Sequence, residues 1–244
     1  MRHALWACAL LATAGAVACS PKPAEKAEAI TAPAAAAAPA VTNTALPGAY
    51  IIDPDHTSVT FRANHLGLSK YTARFTKVGA DLQFDPANPS AMSVSATIDP
   101  RSLETDYSKP ATVDFDAELA GPSWLDAAKF PQIAFKSTKV EPTGPNTAKV
   151  TGDLSLHGVT KPVILDVTFN GGMAPNAMDP AGSRIGFSAR GALKRSDFGV
   201  SYGIPAPGSN FGVGDEVEVI IETEFTQVPP AGAAPAAPAP APKT

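Results

Sequence analysis

The stretch from Ala148 to Phe169, AKVTGDLSLHGVTKPVILDVTF, constrains the fold more than any other part of the chain. Val150, Gly152, Leu154 and Leu156 alternate with Thr151, Asp153 and Ser155. After the break HGVTKP, Val163, Leu165, Val167 and Phe169 alternate with Asp166 and Thr168. Period-two alternation puts the apolar side chains on one face of a strand, and two such runs around a Gly/Pro break read as an antiparallel hairpin. A two-stranded ribbon cannot bury an apolar face alone, so the rest of the chain must complete a sheet around it.

The same signature recurs. Short or alternating apolar runs occur at Tyr50–Asp53, Ser58–Ala63, twice within Tyr71–Phe84, and at Met92–Ile98, Ile133–Ser137, Arg184–Gly191 and Glu216–Phe225. Only Val113–Lys129 reads as helix, with a break at Gly121-Pro122. Each strand carries a polar face, which excludes a parallel sheet covered by helices on both sides. The expected fold is all-β: an antiparallel barrel of about eight strands with a short helical segment, since closure removes exposed edges. Parity points Val59, Phe61, Phe75, Phe84, Val94, Ile98, Phe135, Leu154, Leu165, Phe187 and Val219 inward. Ala73, Ala96, Ala189 and Gly191 share that parity, and small residues there favour a hollow interior lined by the larger ones.

The ends differ in composition from the middle. Residues 1–18 read as a secretory signal: Arg2, an apolar run from Ala4 to Ala16, then small residues. Ala16-Val17-Ala18-Cys19 resembles a bacterial lipobox, in which Cys19 would carry the lipid; the alternative is an ordinary cut and a soluble periplasmic protein. Ser20 after the cysteine favours, by analogy, a Gram-negative outer-membrane lipoprotein facing the periplasm. Residues 19–47 then form a disordered Ala/Pro tether, 48–228 the folded domain and 229–244 a disordered Pro/Ala tail.

Several function classes are disfavoured. A net charge of -4 argues against nucleic-acid binding. Both cysteines, Cys8 and Cys19, precede the domain, leaving it no disulfide and no thiolate metal site. Asp53, His56, His65 and His157 offer the residue types of a zinc site, but they fall on turns and are expected to hold loops, so no metal or cofactor is assigned. There is no G-x-S-x-G elbow and no Gly-rich phosphate loop before a helix. Arg62, His65, Lys70, Arg74 and Lys77 form a basic run. It reads as a solvated face or, through Arg62, His65 and Arg74, as a head-group contact. Arg195 and Asp197 read as a structural pair.

Beyond its periodicity, the chain resembles the YceI-like family. The likeness rests on DPDHTSVTF at 53–61 with His65-Leu66-Gly67, then Ser102-Leu103-Glu104-Thr105, Trp124-Leu125-Asp126 and FPQIAF at 130–135. GDLSLHGVTKPV at 152–163, Arg195-Ser196-Asp197-Phe198-Gly199 and Val213-Gly214-Asp215-Glu216-Val217 complete it. Ala73 stands where the family usually has Gly, and Phe115-Asp116-Ala117-Glu118-Leu119 where it usually reads Arg-Asp-x-His-Leu. The resemblance implies an extended lipocalin-like barrel that holds a polyisoprenoid, isoprenoid quinone or fatty acyl chain without catalysing a known reaction. The lipid anchor would join it to a membrane, and strand edges leave a homodimer open.

Overall fold

The computed structural model describes residues 41–228 except 109, 110, 178 and 181. The signal, Cys19, the tether to residue 40 and the tail from 229 lie outside the described residues. The described strands are β1 (Gly48–His65), β2 (Ser69–Phe75), β3 (Val78–Phe84), β4 (Ser93–Ile98), β5 (Leu103–Thr105), β6 (Ile133–Gly144), β7 (Thr147–Leu156), β8 (Val159–Met173), β9 (Arg184–Lys194) and β10 (Val213–Gln227). Helix is confined to α1 (Phe115–Leu119) and three 3-10 turns among these residues.

The strands follow the order β10-β9-β8-β7-β6-β4-β3-β1, and pairing of β10 with β1 closes them into an eight-strand antiparallel barrel. β2 prolongs the line of β3 along β1: Gly48–Ile51 face Phe84–Asp81, and Val59–His65 face Phe75–Ser69. β5 adds a short piece to the outer edge of β2. A bulge between Asp53 and Ser58 bends β1 where its partner changes.

β7 and β8 form the expected hairpin, but its turn is tighter than the sequence implies. Leu156 pairs with Val159, so only His157 and Gly158 lie outside the ladder. Both have positive φ, 51° and 78°, the geometry that lets a two-residue turn match strand twist. Thus Val159–Pro162 belong to β8. Pro162 lies opposite Asp153, beyond the last β8–β9 pair at Asp166–Arg190, where its missing N–H removes no bond from the second ladder.

Two other boundaries shift. The helix expected over 113–129 is only α1, capped by Asp114 Oδ1 accepting from Ala117 N at 3.0 Å. Past it the chain folds back in turns, with Leu125 N bonded to Leu119 O and Ala127 N to Ala120 O. Upstream, residues assigned to the tether join the barrel. Thr44 N donates to Gly172 O at 2.9 Å, Gly172 N donates to Thr42 O at 3.0 Å, and Ala45 is buried.

The densest packing lies at that end. Tyr50, Phe84, Ile185 and Phe225 are buried together, with Phe169 and Phe187 against them. Rings run in contact from Tyr50 to Phe84 (5.6 Å between centroids), Phe169 (5.7 Å), Phe187 (5.3 Å) and Phe225 (6.2 Å).

Candidate functional site

The barrel is hollow, and Phe84, Phe169, Phe187 and Phe225 of these rings face the hollow. A cavity of about 940 Å³ occupies its interior, near the top of the roughly 300–1,000 Å³ range of small-molecule sites. All eleven residues of inward parity line it. Of these, Val59 and Phe84 are buried, whereas Phe61, Phe75, Val94, Ile98, Phe135, Leu154, Leu165, Phe187 and Val219 are only partly so. A large apolar side chain that points inward yet stays partly exposed has open space over part of its surface. Ala96, Ala189 and Gly191 also line the cavity, while Ala73 is buried behind it.

Glycine at 152 shapes the wall. A Cβ there would fall 2.3 Å from Cζ of Phe135 and 2.7 Å from the Lys136 carbonyl oxygen. The Phe135 ring therefore lies across β7 on the space Gly152 leaves, which keeps it against the wall.

The lining includes no Asp, Glu, Lys or Cys among the described residues. Its titratable members are His65, Tyr71, Tyr107 and Arg195, all toward the end opposite the aromatic cluster. There the β-wall gives way to irregular chain. Asp116 Oδ1 accepts from Thr105 N at 2.9 Å and from Thr105 Oγ1 at 2.5 Å, fastening α1 to the free edge of β5. This sets Phe115 edge-on to Tyr71 (5.8 Å) and beside Tyr107 (5.2 Å). Phe115 and Leu119 line the cavity, whereas Glu118, at the position of the family's usual His, is exposed. This lip is thus more apolar than the resemblance implies.

Arg195 is 5% exposed and has no carboxylate in bonding range among the described residues. Its guanidinium donates to four carbonyl oxygens, those of Gly214 (2.9 Å), Val200 (2.9 Å), Tyr202 (2.8 Å) and Val213 (2.7 Å). It also lies over the Trp124 ring at 5.4 Å. Burial pushes its pKa below the usual arginine value. The pair expected between Arg195 and Asp197 does not form. In the 3-10 turn Arg195–Phe198, position 195 is buried and 197 exposed, and Asp197 instead meets Lys161 at 3.1 Å. Trp124 Nε1 is buried without an acceptor among the described residues.

The three head-group candidates separate. His65 lies at the cavity lip, 6.5 Å from Tyr71 between ring centres. Arg62 and Arg74 have opposite parity to the lining residues Phe61, Ala63 and Phe75, so they stand on the outer face. Arg74 pairs there with Glu104 at 2.7 Å, and Arg62 lies opposite Glu218, which Lys70 holds at 3.0 Å. Period two fixes this: neighbours in a strand cannot both face inward.

The histidines separate as well. His157 Nδ1 donates to the Phe198 carbonyl at 3.2 Å, and its ring packs on Phe130 at 4.5 Å, so it secures the hairpin turn. His56 bonds Asp53 at 2.9 Å on the β1 bulge, beside Glu224. Arg184 Nη1 sits 2.5 Å from Asp53 and 3.4 Å from Glu224, and its Nε bonds Asp179. A guanidinium already stands where a cation would. It holds the Asp53 carboxyl down at about 2, and the paired carboxylate raises the pKa of His56.

With this geometry, residues 50–225 match the YceI-like domain. The chain belongs to the YceI-like family. It is 37% identical to the YceI protein of Salmonella arizonae over 189 residues, covering 76% of this chain and 91% of that protein. Among solved structures it is similar to Burkholderia cenocepacia BcnA, with 26% identity, a TM-score of 0.59, and coverage of 71% of this chain and 98% of BcnA. A polyisoprenoid binding domain from Saccharophagus degradans, 12% identical with a TM-score of 0.51 over 75% of this chain and all of that one, shares the fold. The YceI barrel here has an aromatic lip, built by Tyr71, Tyr107, Phe115 and Trp124. Parity alone reaches Tyr71. The other three sit in or beside irregular chain, where no periodicity marks them.

Proposed function

We propose that this protein binds a long apolar chain, a polyisoprenoid, isoprenoid quinone or fatty acyl lipid, inside the barrel and carries or shields it without covalent chemistry. One observation carries the reading: a roughly 940 Å³ interior whose large apolar side chains remain partly uncovered. Covering them with a hydrocarbon chain releases water from both surfaces, worth about 25 cal/mol per Å² of apolar area. The polyisoprenoid binding of the Saccharophagus degradans domain with the same fold agrees with this. Trp124 Nε1, a buried donor without an acceptor, would suit an oxygen near the head of such a ligand. Among the described residues the lining has no carboxylate or thiol to act as base or nucleophile, which supports binding over catalysis. Export through residues 1–18 and anchoring at Cys19 would put the barrel in the periplasm on a lipid tether, one acyl group of which adds about 0.8 kcal/mol per buried CH₂.

Leu154→Arg tests the reading. The side chain faces the hollow, so an arginine has room but brings a charge into the ligand's path. Uptake of a fluorescent isoprenoid should fall by about tenfold or more, with the circular dichroism spectrum and melting temperature near wild type. Undiminished uptake by folded Leu154→Arg protein would place the ligand elsewhere.

A further inference from the structure

The loop at 199–212, GVSYGIPAPGSNFG, holds no charged residue and no histidine in a chain of which 17% is Asp, Glu, Lys or Arg. It leaves the Arg195–Phe198 turn and ends at the start of β10, next to the cavity lip. Val200 and Val213, at its two ends, line the cavity. Its base is tied down. Arg195 bonds the carbonyls of Val200, Tyr202, Val213 and Gly214, and Val213 N donates to Gly203 O at 2.8 Å. Its tip stands clear: a Cβ built on Gly208 meets nothing within 4 Å.

The β1–β2 turn lies against this loop. Leu66 N donates to Gly212 O at 2.9 Å, and a Cβ on Gly67 would meet Asn210 at 3.1 Å. Leu68 in that turn is 84% exposed and Phe211 in the loop 85%, the highest values among the exposed large hydrophobic residues; Tyr202 adds a further 57%. Exposed leucine and phenylalanine on two adjoining turns are costly in water unless something covers them.

We propose that this lip is a membrane-docking surface. Leu68, Phe211 and Tyr202 enter the interfacial region of a lipid bilayer, with the cavity opening against it. The occupant follows from continuity: Tyr202 packs on Trp124 at 5.2 Å, and Trp124 lines the cavity together with Val200 and Val213 at the loop's ends, so a chain leaving a bilayer has an apolar route inward. Exposed leucine, phenylalanine and tyrosine side chains suit the headgroup–acyl boundary of a bilayer. The buried Arg195 is the positioning residue of the arrangement; its four carbonyl bonds hold an otherwise irregular loop with its apolar tip outward. The inference rests on the lipid-carrier reading for its purpose, although docking and uptake are separately measurable.

Flotation of the full chain bearing Cys19→Ser, which removes the acylation site, with vesicles of phosphatidylethanolamine and phosphatidylglycerol at three to one tests it. The protein should float with the vesicles. Leu68→Asp combined with Phe211→Asp should cut the floating fraction by about tenfold, with unchanged melting temperature and unchanged uptake of detergent-delivered isoprenoid. Equal flotation of the double variant, or no flotation of the parent chain, overturns the docking surface. A dimer that the double variant converts to monomer also overturns it, by assigning the lip to a second copy. If detergent-delivered isoprenoid fails to bind either protein, the carrier reading itself has failed, whatever the flotation shows.

Discussion

Arg184 shows how one side chain decides between two chemistries. Asp53, His56 and Glu224 place possible ligand atoms within 4.8 Å of one another, which on residue types alone suggests a metal. The guanidinium makes the cluster an ion-pair network bracing the β1 bulge. This fixes the sign of its pH dependence. The folded-state pKa of Asp53 is depressed to about 2, so its contribution is complete above the unfolded value of about 3.9. It is lost as pH falls through about 2. His56 runs the other way: its folded pKa is raised, so its contribution is full below the unfolded value of about 6.5 and fades as pH rises through the folded one. The network is therefore strongest between about pH 4 and 6.5. Arg184→Gln should move the Asp53 titration, followed by carboxyl carbon NMR, from about 2 toward the ordinary value; an unmoved titration would mean that Arg184 is not its cause. The sequence shows that Asp53 and His56 are near each other. It does not show Arg184, because only the closure of β10 on β1 and of β9 on β10 brings that residue across.

At the scale of elements, alternation carries far and turn length does not. The β7–β8 hairpin was legible from its two apolar rows, and so were the inward sides of β1, β3, β4, β6, β9 and β10. What misleads is Pro162: read as punctuation, it widens the break to six residues, HGVTKP. In fact it sits in β8 beyond the ladder with β9, and His157-Gly158 alone make the turn. The same blindness to context stretches α1, because the acid-rich segment 113–129 has helix-forming residues but fastens itself by turns. Gly158 carries the hairpin's strictest demand. Its φ is +78°, and a Cβ there would fall 2.5 Å from the Phe130 ring. Gly158→Val should destabilise the barrel by about 2 kcal/mol or more, read from urea unfolding midpoints. A change under about 0.5 kcal/mol would show that the turn can adopt another form.

For the whole molecule, fold and hollow have different origins. Closure follows from many half-polar strands that must hide their edges. The hollow follows from an inward set that mixes large side chains with Ala96, Ala189 and Gly191, and from Gly152 drawing the Phe135 ring back to the wall. The eleven inward positions were legible because a strand has only two faces. The lip was not: Tyr107, Phe115, Trp124 and Phe211 come from chain without a period, held by Asp116 on Thr105 and by Arg195 on four carbonyls. Bonds between a side chain and distant backbone leave no trace in composition or spacing. In the proposed function the interior exists to be filled by a lipid chain. Organic extraction of the protein purified from its native cells without detergent, followed by mass spectrometry, measures this directly. The expected result is one dominant isoprenoid or acyl lipid at near one per barrel, lost in Leu154→Arg protein. An extract with no bound lipid, together with no uptake of added isoprenoid, would contradict it.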